Sequence, residues 1–164
     1  MPDVVQSVSA EATAVCPFSV AQDYALDFLV VAAAGGAEAD IRVPLRFLPV
    51  SLHHKVVLAF AVYEDDADGG RPHKEIRLRW TAGTPMLPNF CGTVRFRIDG
   101  GNTRVLVAGS YAAPFATAGR IFDAVIGRTV ALAGVTDLAR RIAMYLETRQ
   151  TAWRLGIMTQ LLAK

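Results

Sequence analysis

Chemistry in this 164-residue chain would have to come from a short list of side chains. Tyr63, Tyr111 and Arg128 are the groups that could bring a proton donor or a cation into an apolar enclosure, where desolvation shifts a phenol and a guanidinium demands a partner. They make a poor set for a general base, and no inward carboxylate joins them. There is no GxSxG, no P-loop, no GxGxxG after a strand and no HExxH. His53 and His54 with His73 raise the question of a metal, yet neighbours on a strand point to opposite faces, so at most one of the pair shares a site with His73. Surface or loop histidines are the better reading. Cys16 and Cys91 stand alone, without ligand-type residues at motif spacing, and fit free thiols in a reducing compartment. Cys91 ends a stretch, Thr81 to Cys91, that also carries Met86, Leu87 and Phe90 and reads as a lid. No catalytic residue, metal or cofactor is assigned.

What positions these groups is the segment from Arg104 to Glu147: a strand (Arg104 to Tyr111), a proline-containing turn (Ala112 to Gly119), and a helix of about seven turns ending near Glu147. Ile121, Val125, Leu132, Val135, Ala139, Ile142 and Leu146 share one helical face, which predicts a helix laid lengthwise on a sheet. Beside it runs a stripe of small residues, Ala124, Gly127, Ala131 and Gly134. Glycine inside a helix costs about 1 kcal/mol relative to alanine, so the stripe implies either a closely packed backbone or space kept for something else. Arg128 interrupts the apolar face. Either its stem packs while its head reaches out to a carboxylate or carbonyl, or it anchors an anionic group at the end of a cavity.

Upstream, Val4 to Val15 alternates loosely and reads as a first strand. Ser19 and Gln22 sit at capping-box spacing ahead of a helix, Val20 to Ala34, that stops at Gly35-Gly36. Ile41 to Leu48 alternates, with Pro44 marking an edge or bulge. Lys55 to Tyr63 is apolar on both faces, which predicts a strand covered on both sides. Glu75 to Trp80 and Thr93 to Ile98 alternate strictly, sending Trp80 and Phe96 inward and Arg77, Arg79, Arg95 and Arg97 outward onto a solvated face. Asp99 to Asn102 is a hairpin turn.

Composition bounds the rest. The length fits one domain, residues 1–164, able to bury roughly 70% of its extended-chain surface. A net charge of +2 with basic residues spread along the chain argues against nucleic acid. The sequence lacks a basic n-region followed by an apolar run, and its most apolar stretch, Tyr24 to Ala34, contains Asp27 and falls short of the ~20 residues that a bilayer needs. A cytoplasmic protein without integral membrane association is expected. Residues 148–164 form a tail, with Trp153, Ile157 and Leu161 at helical spacing interrupted by Gly156, that reads as a short helix docking on its own domain, on a second subunit or on a membrane surface, the first two being the default; a homodimer stays open.

The element order gives an α+β domain with a curved antiparallel sheet wrapped around a long C-terminal helix. From Arg77 to Glu147 the chain resembles the START-like, or SRPBCC, helix-grip superfamily, and within it the bacterial polyketide cyclase/dehydrase-like proteins. The resemblance rests on Trp80, the run from Pro88 to Phe96, the turn Asp99 to Asn102, the run from Thr103 to Val107, Gly109 to Tyr111 followed by Pro114, and Gly119 to Asp123 through Gly127-Arg128 into Leu138. It implies a cavity between helix and sheet for an apolar or amphipathic small molecule, lipid-like or polyketide-like, in a carrier or sensor. The alternative it implies is a cyclase, aromatase or dehydratase using the same cavity. Residues expected at the ligand are Tyr63, Trp80, Phe96, Tyr111, Ala124, Gly127, Arg128 and Ala131. One departure is visible: superfamily members often carry two short helices before the sheet, and this chain shows one.

Overall fold

The computed structural model describes residues 5–34, 38–42, 51–65, 73–82, 89–112 and 120–162. In chain order these form β1 (Val5–Ala14), α1 (Phe18–Ala34), β2 (Glu38–Arg42), β3 (Ser51–Asp65), β4 (His73–Ala82), β5 (Asn89–Asp99), β6 (Asn102–Ala112) and α2 (Arg120–Leu162). The strands make one antiparallel sheet in the order β1-β6-β5-β4-β3-β2. Each of β2 to β5 pairs with the next strand along the chain, while β1 lies beside β6 and closes the far edge. A curved antiparallel sheet carrying a long C-terminal helix is the helix-grip arrangement.

Period-two patterning decides which face is buried. Ile76, Leu78 and Trp80 of β4, Phe90, Val94 and Phe96 of β5, and Thr103, Val105, Val107 and Tyr111 of β6 are all buried, while Arg77, Arg79, Arg95 and Arg97 between them are exposed. Glu75 takes hydrogen bonds from both Arg95 and Arg77 on that outer face, and the Arg95 contact leads in holding its carboxyl below the usual value. The β5–β6 hairpin turns on Gly100 (φ 57°) and Gly101 (φ 91°), a two-residue connection in which both positions need the left-handed region.

Two helices cover the inner face. Ala21, Ala25 and Leu29 of α1 and Val135, Ala139, Ile142 and Leu146 of α2 have no exposed surface. α2 lies against β1 and β6 and meets α1, with the rings of Phe28 and Tyr145 5.5 Å apart and Arg149 Nη2 3.2 Å from Asp27 Oδ2. The corner between β1 and α1 is pinned from two sides: the Val15 amide donates to Glu147 Oε1 at 2.9 Å, and buried Thr103 Oγ1 donates to the Cys16 carbonyl at 2.7 Å. Replacing Thr103 by valine keeps the shape but orphans that carbonyl, and is expected to cost about 1–3 kcal/mol in urea denaturation. An unchanged midpoint would mean that the carbonyl finds another partner.

Three expectations need correction. α2 is one continuous helix, about 65 Å long, so there is no break near Glu147 and Gly156 does not interrupt it; Thr151 to Gly156 are all exposed on its final turns. The outer face of β3 is open rather than covered, with Val57 70% exposed beside exposed Ala59, Ala61 and Tyr63, because both helices pack on the other side. α1 begins at Phe18, one residue before the expected cap. The stretch Pro44 to Leu48 lies outside the described residues, as do Met86 and Leu87 of the expected lid, whereas Asn89, Phe90 and Cys91 belong to β5.

Candidate functional site

Register builds the inner wall. Leu58, Trp80, Phe90, Tyr111 and Gln6 stand directly opposite one another on β3, β4, β5, β6 and β1, a row across five strands. Trp80 and Phe90 stack at 4.2 Å between centroids, 19° from parallel. The Phe90 ring lies flat over Gly92 and Gly109: a Cβ added to Gly92 would come within 2.5 Å of its Cζ, and one on Gly109 within 2.7 Å. Side chains at either position would lift the ring off the sheet.

Tyr111 ends the aromatic series and is 1% exposed. Its hydroxyl donates to Gln6 Oε1 at 2.7 Å, giving an otherwise apolar wall one polar corner. Burial pushes the phenol above its ordinary value, and the charge of Arg128 offsets part of that. α2 comes close to this ring through Gly127, where an added Cβ would sit 3.6 Å from Tyr111 Cε2. One turn on, Ala131 is buried. The small-residue stripe is thus where the helix backbone approaches Tyr111.

Of the expected residues, Tyr111 and Gly127 therefore meet, Trp80 joins the row through Phe90, and Ala131 lies beside Gly127 on the same helical face. Phe96 is on the same sheet face but in the row Phe96, Val105, Ala12, six residues along β5 from Phe90 and so about 20 Å away. Ala124 falls in α2, but its side chain lies outside the described residues. Tyr63 is not brought to the set. It is five residues from inward-facing Leu58 and so has the opposite parity, 46% exposed on the outer face with the Arg77 guanidinium 4.1 Å above its ring. Arg128 is exposed as well and lines a different feature. Phe90 and Gln6, absent from the expected set, were legible as in-phase neighbours of Val94 and Phe96, and of Val8 and Ala10.

That feature is a cleft of about 620 Å³. Ser7 and Ser9 of β1, Cys91, Thr93 and Arg95 of β5, and Ala108 and Ser110 of β6 line it from the face opposite the core, with Val8, Gly92 and Gly109 between them and Arg128 and Leu132 of α2 beside them. Leu132, placed on the buried stripe by the helical wheel, is 44% exposed at this wall.

Among the described residues no three His, Cys, Asp or Glu side chains gather as a metal site. Register separates the histidines: His53 and His54 pair with β2, whereas His73 pairs with Asp65 at the far end of β3. No described helix is long and apolar enough to cross a membrane.

No family profile and no curated protein sequence matches the chain. Solved structures do resemble it. The Zhui aromatase/cyclase from Streptomyces sp. R1128 is 15% identical with a TM-score of 0.42, over 88% of this chain and 90% of that one. The di-domain ARO/CYC StfQ from the steffimycin biosynthetic pathway is 14% identical with a TM-score of 0.49; 88% of this chain aligns, and it spans about half of StfQ, 51%. Ara h 8.0201 is 11% identical with a TM-score of 0.37, over 90% of this chain and 99% of that one. At such identities the likeness concerns the fold alone: an antiparallel sheet holding a long C-terminal helix against its inner face.

Proposed function

We propose that the protein binds an apolar or amphipathic small molecule, lipid-like or polyketide-like, between the inner face of the sheet and α2, as a carrier or sensor. The observation that carries this reading is the Tyr111 corner: a wall of stacked rings ends in a buried phenol hydrogen-bonded to Gln6, beside the glycine that brings α2 closest. Such a wall matches a ligand with a large apolar body and one polar group.

A cyclase, aromatase or dehydratase would use the same corner, with Tyr111 as proton donor. It would also need a base. Thr103 and Gln150 are the buried polar side chains among the described residues apart from Tyr111 itself, and neither titrates. Gln6 does not titrate either, so binding is the better-supported reading.

Native mass spectrometry of protein purified from its own host without detergent tests this directly. A discrete small molecule released on mild activation is expected, and Tyr111→Phe should weaken its rebinding about 3- to 10-fold, the worth of one hydrogen bond. An enzyme would instead keep its affinity in that variant and lose turnover. No bound mass, together with no thermal shift across a panel of lipids and polyketides, would sink the carrier reading.

A further inference from the structure

The cleft lies outside the aromatic row, although Arg128 neighbours both, and its lining is of another kind. Cys91, Ser110 and Ser7 stand opposite one another on β5, β6 and β1, and Thr93, Ala108 and Ser9 form the next row. Adjacent strands lie about 4.8 Å apart and alternate residues about 7 Å, so four hydroxyls occupy a patch on the order of 10 Å across. Arginines stand at its borders. Arg95 is engaged, with Nη2 2.7 Å from Glu75 Oε2. Among the described residues Arg128 has no carboxylate partner and no acidic side chain lines the cleft.

We propose that this cleft binds a tetrahedral oxyanion, the phosphate or sulfate group of a small polar molecule, with Arg128 as its cationic anchor and the hydroxyls of Ser7, Ser9, Thr93 and Ser110 as further donors. A guanidinium alone satisfies the two oxygens of a carboxylate in a bidentate pair. A tetrahedral group presents additional oxygens, which the hydroxyl patch is placed to meet. The volume exceeds what a bare ion fills and leaves room for the rest of a small molecule. This reading stands apart from the inner-face ligand and does not depend on it.

The cleft carries its own reporter. Cys91 is exposed within it, whereas Cys16 is 1% exposed and its thiol is pushed up by burial, so a neutral alkylating reagent discriminates between them. The experiment measures iodoacetamide modification of Cys91 by peptide mapping, at fixed pH and ionic strength, with inorganic phosphate, phenyl phosphate or acetate added. In the wild-type protein, phosphate and phenyl phosphate should slow modification several-fold and acetate should not. Each variant is judged by its own ratio with and without anion, so that any change in basal reactivity drops out. Arg128→Gln should abolish the protection, Ser110→Ala should weaken it, and Arg97→Gln, an outer-face arginine outside the cleft, should leave it intact. Protection by phenyl phosphate at far lower concentration identifies an ester as the occupant; equal protection by inorganic phosphate identifies the free ion. No protection by either probe, equal protection in Arg128→Gln, or protection by acetate as strong as by phosphate would overturn the proposal.

Discussion

Gly109→Ala is expected to destabilise the protein by about 3 kcal/mol or more, the upper end of what overpacking costs. Gly109 is not among the positive-φ glycines, so its backbone conformation is open to alanine. On backbone grounds alone the change would stabilise a strand by roughly 0.5–1 kcal/mol. Space reverses the sign. The new Cβ would meet the Cys91 carbonyl oxygen, lie 2.5 Å from Gly92 Cα and 2.7 Å from Phe90 Cζ, and the first two are backbone atoms of a paired strand. The third belongs to a ring held against Trp80. Nothing there gives way without parting β5 from β6. Gly127→Ala is the control, because its Cβ would make an ordinary 3.6 Å contact with Tyr111 Cε2 and should stabilise α2 by up to about 1 kcal/mol. Denaturant unfolding of the two variants side by side gives opposite signs; two equal midpoints would mean that β5 and β6 do not approach so closely.

The segments that could be read from sequence were those where one rule acts alone. Strict alternation in Glu75 to Trp80 and Thr93 to Ile98 placed the arginines outside, and paired glycines between Asp99 and Asn102 fixed a turn. Composition was weaker where two outcomes share a pattern. β3 is apolar on both faces, and only the position of the helices shows that Val57 is left at 70% exposure. Tyr63 was assigned inward by residue type although its parity relative to Leu58 and Trp80 sends it outward. Phe90 was hidden by Pro88 and the Thr81 to Cys91 stretch, which read as a loop and drew attention from its phase with Val94. Arg128 and Leu132 sat on the apolar side of the wheel, but a wheel cannot tell where a helix leaves its residues exposed, and both stand at the cleft wall. The order of elements, one helix, a run of antiparallel strands and a long last helix, was enough to give the arrangement of sheet around helix.

The inner wall makes the second large prediction, on Phe90→Ala. The ring is 1% exposed, stacked on Trp80 and pressed on two glycines, so its loss removes both transfer energy and close packing. The expected cost is about 3–5 kcal/mol. Trp80→Ala should cost a similar amount, and the double variant should cost clearly less than the sum, because each single change already breaks the stack. Pairing Phe90→Ala with Phe96→Ala should instead be additive, since the rows lie about 20 Å apart along β5. The vacated space adjoins Tyr111 and Gly127, and an apolar cavity of that kind stays dry and accepts a small aromatic molecule. Benzene or indole should therefore raise the unfolding midpoint of Phe90→Ala and leave the wild type unmoved, by the linkage between binding and stability. A cost under about 1 kcal/mol, or additivity with Trp80→Ala, would show that Phe90 is not packed in this row, and the aromatic wall would then have to end at Trp80.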